Sequence, residues 1–260
     1  MAKMFGLEQK LFDQLKRLKN EYDLHGIKAE FEAEGSSFRD LVRLRRITDQ
    51  LRIPLYLKIG GVEALRDIKD SLEIGVDGLI APMVESRFGV KKFVDAISSI
   101  YKDKYIHLSI NIETQQAVNN MDEILEISKD RVENVTIGRT DLSFSYFDPK
   151  ITPDSEFIFE LLKKLEKKIS SKKITMTVGG SLSKQSINYF KSNKDKWSKI
   201  IHRLETRKVI LPTEAMLNNE SSINEALRFE EIYILSKKEI SDLFMESEAS
   251  RLTRLKMRSQ

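Results

Sequence analysis

The chain contains no cysteine, so disulfides and thiolate-held metals are excluded, and any metal site must be built from oxygen or imidazole ligands. Imidazole is scarce too. The three histidines are scattered: His25 precedes the first expected strand, His107 starts another, and His202 lies in a poorly patterned region, so all three read as structural. No run is apolar enough to span a bilayer. Residues 1–22 read as an amphipathic helix with Phe5, Leu11, Phe12, Leu15 and Leu18 on one side, without the apolar run and cleavage site of a signal peptide. A cytoplasmic protein with no membrane partner is expected. The net charge is +4 with a pI near 9.0, but lysines and glutamates are interleaved along the chain, which argues against nucleic-acid binding. Arg251, Arg254, Lys256 and Arg258 form the one basic cluster and read as a solvated helix tail.

What is present is a repeated alternation. In Ile106–Thr114 (IHLSINIET), Ile106, Leu108, Ile110 and Ile112 fall on one side, with His107, Ser109, Asn111 and Glu113 on the other. Period two is a strand signal, and a strand with an apolar outer face and a polar inner one suits a parallel barrel whose reactive end is its carboxyl end. HGIKAEFEAEGSS shows the same grammar, with Lys28, Glu30 and Glu32 on one face; so does PLYLKIGG, with Tyr56 and Lys58 inward.

Helical spacing over 38–51, 62–74, 88–100, 115–127, 154–169 and 183–193 separates strands expected to start near 27, 55, 78, 106, 133, 173, 207 and 231. Strand seven is expected at 207–211, a short helix at 221–229, strand eight at 231–235, and a last helix at 238–258. Eight strands alternating with helices predict a (β/α)₈ TIM barrel over 26–236, in a single domain spanning 1–260. A doubly wound sheet would ask for a glycine-rich first turn, and only Gly35 follows strand one.

Glu113 and Asp141 are 28 residues apart, one βα repeat. In a barrel they would end adjacent strands whose backbones lie about 5 Å apart, where two carboxylates can share Mg²⁺ or Mn²⁺. Carboxylates that cap helix starts are the alternative.

NIETQQAVNNMDEILEI, followed by VTIGRTDLS and preceded by GVDGLIAPMVES, resembles the HpcH/HpaI aldolase and citrate lyase family of the phosphoenolpyruvate and pyruvate superfamily, over residues 26–146. The resemblance implies that Glu113 and Asp141 are metal ligands, and that main-chain N–H groups at Thr140 and Asp141 receive the carboxylate of a 2-oxo acid such as pyruvate or oxaloacetate. It implies a metal-dependent carbon–carbon lyase or aldolase whose ion stabilises the enolate formed when the bond beyond the carbonyl breaks. A citrate-lyase-like enzyme acting on an acyl-CoA or a phosphoenolpyruvate-like substrate is the alternative, and a non-catalytic ligand-binding barrel the third reading. Barrels of this kind commonly form homo-oligomers.

Two positions depart from the pattern. Lys58 stands where the aldolases carry an arginine, keeping the positive charge but not the bidentate fork, and Ala33 stands where they carry a histidine after Glu32. Replacement bases are then sought among Glu30, Glu32 and Glu34, with an ion-pair network filling the barrel as the alternative. Lys58 also admits Schiff-base chemistry, which would leave the metal pair unexplained. Arg139 is a candidate for a substrate anion or a rim acid, and Asn111 for a substrate oxygen.

Overall fold

The computed structural model describes residues 4 and 6–258; Phe5, expected on the apolar side of the first helix, lies outside the described residues. In chain order the elements are α1 (Gly6–Glu21), β1 (Gly26–Glu30), α2 (Phe38–Gln50), β2 (Leu55–Lys58), α3 (Leu65–Ile74), β3 (Gly78–Ala81), α4 (Arg87–Tyr101) and β4 (His107–Ile112). They continue with α5 (Gln115–Asn119), α6 (Met121–Ser128), β5 (Asn134–Gly138), α7 (Arg139–Phe144), α8 (Glu156–Ser170), β6 (Thr175–Gly179), α9 (Lys184–Ser192) and α10 (Lys194–Ile200). The last are β7 (Arg203–Glu205), β8 (Val209–Pro212), α11 (Thr213–Asn218) and α12 (Ser222–Arg258).

The eight strands close into a barrel in sequence order. Strands β1 to β7 run parallel, and β8 runs antiparallel to both β7 and β1; the strand expected at 207–211 is this antiparallel β8, and β7 precedes it where no strand is expected. The expected eighth βα unit is therefore replaced by a hairpin. Only Thr206, Arg207 and Lys208 separate β7 from β8, a link too short for a parallel crossover. Thr206 ties the turn: its Oγ1 accepts from Val209 N at 3.0 Å and from Lys208 N at 3.3 Å.

The strand expected at 231–235 is part of α12, as are the separate helices expected on either side of it. Ile223, Ala226, Phe229, Tyr233 and Ile240 are buried at helical spacing, whereas Ile234 and Leu235 are exposed. The apolar run IYIL is therefore one turn of a helix with a buried stripe. The helix expected over 115–127 is divided at Asn120, whose Nδ2 donates to Glu85 O at 2.7 Å. The expected helix at 183–193 is followed at once by α10.

The outer faces of the strands supply the core against the helices: Leu55, Leu57, Leu108, Ile110, Val135 and Ile137 are fully or almost fully buried. The inner face is buried but polar. Asn134 Nδ2 donates to Ser109 Oγ at 2.8 Å and to Thr136 Oγ1 at 3.1 Å, and Thr177 Oγ1 donates to Asn134 Oδ1 at 2.8 Å. These bonds offset the cost of removing the groups from water. Tyr56 fills the lumen nearer the amino end, and a Cβ at Gly26 or Gly78 would come within 2.5 Å of its ring. Both positions must be glycine for the ring to fit.

Helix α1 packs along α12. Gln14 Nε2 and Arg17 Nη1 both bond the Glu225 carboxylate, at 2.8 and 3.0 Å, and Leu11, Leu15 and Leu18 are buried as expected. From residue 241 to 258, α12 is exposed throughout, including the basic cluster. No helix of the described residues is long and apolar enough to cross a membrane.

Candidate active site

The carboxyl ends of the strands surround a polar cavity of about 490 Å³. Glu113 follows the last residue of β4, and Thr114 caps α5 through a 3.1 Å bond from Ala117 N, so the chain turns outward immediately after the carboxylate. Glu113 is buried. Its Oε2 accepts from Met83 N and its Oε1 from Asn111 Nδ2, each at 3.1 Å. The side chain lies over Gly138, where a Cβ would stand 2.6 Å from its Cγ and Oε1. Glycine at the end of β5 therefore opens the path from Glu113 towards Asp141, the third residue of α7. Burial pushes the Glu113 pKa up; Lys58 and the Met83 N–H oppose this, and the charge of Asp141 adds to it.

Opposite stand two ion pairs. Lys28 Nζ meets Glu205 Oε1 at 2.6 Å with both side chains buried, and Lys58 Nζ meets Glu30 Oε2 at 3.1 Å. The second contact is an ion pair whose geometry falls short of an aligned hydrogen bond. Burial would lower the Lys28 pKa and raise that of Glu30. The Glu205 and Glu30 charges outweigh it for Lys28, and the Lys28 and Lys58 charges for Glu30, so Lys28 titrates above its ordinary value and Glu30 below.

Of the residues expected here from sequence, Lys58, Glu30, Asn111, Glu113, Thr140 and Asp141 all line the cavity. Glu32 is exposed, lies over Gly60 and is not part of the lining. Glu34 is ion-paired with the buried Lys208, so it is committed elsewhere. Arg139 is not open to a substrate. It is fully buried, paired with Asp154 at 2.6 Å, and donates to Gly179 O at 3.1 Å and Gly180 O at 2.9 Å. Of its two readings, the pairing with an acid is the one observed, and the guanidinium ties the end of β6 to the start of α7.

Sequence reasoning missed Glu205, Arg207 and Glu230, which also line the cavity. Glu205 and Arg207 had no clear local signal, because β7 is three residues long and the T-R-K link lacks the glycine or asparagine that marks a tight hairpin. Glu230 had no local signal, because its place depends on how α12 crosses the barrel mouth. His25 and His107 lie with Tyr56 and Arg203 around a small pocket whose lining does not include Glu113 or Asp141.

A hard divalent ion fits this donor set. Three cations, Lys28, Lys58 and Arg207, face five carboxylates, and the excess of two negative charges is what one such ion balances. Asn111 Oδ1 is a buried acceptor without a partner among the described residues, suited to a bound water or substrate hydroxyl. No set of three or more His, Cys, Asp or Glu among the described residues is arranged to hold a metal. An ion on Glu113 and Asp141 would therefore complete its coordination with water and substrate oxygens, as Mg²⁺ and Mn²⁺ do.

Residues 57–162 match the family model described as HpcH/HpaI aldolase/citrate lyase. Through this segment the chain is similar to those enzymes. The matched stretch includes Lys58, Asn111, Glu113, Thr140 and Asp141, and supports an enzyme of lyase or aldolase kind. In fold, the chain is similar to an HpcH/HpaI aldolase from Desulfitobacterium hafniense DCB-2 (TM-score 0.59, 16% identity, covering 75% of this chain and 82% of that one). It is similar also to a citrate synthase variant (0.55, 16%, 72% and 78%) and to an HpcH/HpaI aldolase/citrate lyase family protein from Burkholderia cenocepacia J2315 (0.56, 11%, 78% and 93%). A sequence search of curated proteins gave no match.

Proposed function

We propose that the protein is a divalent-metal-dependent carbon–carbon lyase or aldolase acting on a 2-oxo acid, with pyruvate or oxaloacetate enolate chemistry. The observation that carries the reading is the pair Glu113, just past β4, and Asp141, in α7 just past the adjacent β5, both lining one polar cavity with Lys58. A divalent ion held there supplies a Lewis acid for the negative charge that develops on the 2-oxo oxygen.

The chain's own residues set up the rest. Asn111 and the Met83 N–H hold the Glu113 carboxylate in one orientation. Main-chain N–H groups at Thr140 and Asp141 receive the substrate carboxylate. Thr140 Oγ1, 2.8 Å from Ser181 Oγ, holds that edge of the cavity to the turn after β6. Lys58, beside Glu113, places a fixed positive charge near the developing enolate, and its pairing with Glu30 favours this role over Schiff-base formation, which needs a neutral amine.

The test is exchange of the pyruvate methyl protons in D₂O, followed by NMR with Mg²⁺, Mn²⁺ or chelator. Exchange that needs the metal and is lost in Glu113→Gln supports the reading. A folded native chain that exchanges with neither metal overturns it.

A further inference from the structure

If the protein forms and protonates an enolate, one group must carry the proton, and Ala33 lies on the cavity without an ionisable side chain. Of the five cavity carboxylates, Glu30 and Glu205 are neutralised by lysines, and Glu113 and Asp141 are the proposed ligands. Glu230 is the fifth. It forms no ion pair among the described residues, and it comes from α12 rather than from a strand end.

The packing of α12 explains its position. Lys237 Nζ donates to Glu34 O at 3.2 Å and to Ser36 Oγ at 3.3 Å, and the Tyr233 ring lies 4.2 Å from Lys208 Nζ. Residues 230, 233 and 237 share one face of the helix. That face lies against the turn following β1, the turn that contains Ala33. Two turns before Lys237, the same face reaches the cavity at Glu230, with Leu227 beside it.

We infer that Glu230 is the proton carrier of the proposed reaction, delivered by the C-terminal helix to a mouth whose first turn supplies no base. The inference rests on the 2-oxo acid reading above. In cleavage of a 4-hydroxy-2-oxo acid, the Glu230 carboxylate takes the proton of the 4-hydroxyl. The C3–C4 bond breaks, its electron pair becomes the enolate, and the aldehyde leaves. Glu230 then returns the same proton to C3, giving pyruvate. Proton count and charge balance with no other reactant.

The surroundings suit a base that must also act as an acid. Burial raises the Glu230 pKa; Arg207 and Lys208 on the hairpin oppose this, Glu34 on the turn after β1 adds to the rise, and Lys28 on β1 opposes it, leaving a value above the ordinary carboxylate range.

The experiment compares native protein, Glu230→Gln and Glu113→Gln by two readouts: methyl-proton exchange of pyruvate in D₂O with Mg²⁺, and calorimetric binding of oxalate, a planar enolate mimic, with Mg²⁺. In Glu230→Gln, exchange should fall by about 10²-fold or more with oxalate affinity within about threefold of native, and the acid limb of the native pH–rate profile should vanish. Glu113→Gln should lose both. Exchange at the native rate in Glu230→Gln, with loss in Glu113→Gln, overturns the role of Glu230 and leaves the 2-oxo acid reading standing. No exchange in the native chain overturns both.

Discussion

The two ends of the barrel are both polar, but they are polar in different ways. At the carboxyl end, lysines and carboxylates surround about 490 Å³ and leave an excess of negative charge. At the amino end, His25, Tyr56, His107 and Arg203 close around a pit of about 20 Å³, with His25 Nε2 and Tyr56 OH 3.1 Å apart and the Tyr56 and His107 rings in edge contact at 5.4 Å. Burial and the Arg203 charge lower the pKa of both histidines to about 4, so near neutrality they are uncharged. One end is a plug in which the Arg203 charge helps keep the histidines neutral; the other concentrates charge and keeps room for a ligand. Glu205 lines both spaces and, through Lys28, forms the floor between them.

The largest effect should come from breaking that floor. Glu205→Ala leaves Lys28 buried without its partner, and should cost about 3–5 kcal/mol in urea unfolding. A cost under about 1 kcal/mol would mean that water reaches Lys28 and that the floor is not closed. At the mouth, Glu113→Gln should reduce metal-dependent exchange by about 10²–10³-fold, and chelator should do the same to the native protein.

The base predicts a pH effect of opposite character. His25 and His107 bind protons less readily folded than unfolded, so the unfolded chain gains protons first as pH falls. Stability from their neutral state is full above about 6.5 and is lost as pH drops towards about 4. With both groups partly exposed, this loss should be about 1–2 kcal/mol in total, and His25→Phe with His107→Phe should flatten that part of the stability–pH curve. The smallest effect belongs between the two ends. Ser109→Ala removes one acceptor of Asn134 and should cost about 1 kcal/mol, with exchange unchanged. A large loss of exchange there would show that the two ends are coupled through the lumen.

Much of the mouth is legible because period-two alternation states which side chains face inward: Glu30, Lys58, Asn111 and Glu113 share one cavity for that reason, while Thr140 and Asp141 in α7 follow from the βα spacing and the family resemblance. Glu32 failed because β1 ends at Glu30 and the alternation does not survive into the turn. From sequence Arg139 admits two partners, a substrate anion or a rim acid, and burial beside Asp154 decides between them. The apolar run at 231–235 fits a strand and a helix equally well at that length, and only the packing of α12 against α1 and the barrel separates the two.

Local period and one βα spacing are enough to read the six parallel strands β1 to β6, the polar lumen, and Glu113 and Asp141 as members of consecutive βα units. Tertiary structure alone decided that β8 reverses direction, that Lys28 and Lys58 are neutralised by Glu205 and Glu30, and that Glu230 reaches the mouth from a helix nearly 120 residues beyond Glu113. Barrel closure and charge pairing depend on groups far apart in the chain, and no local period encodes which of them will meet.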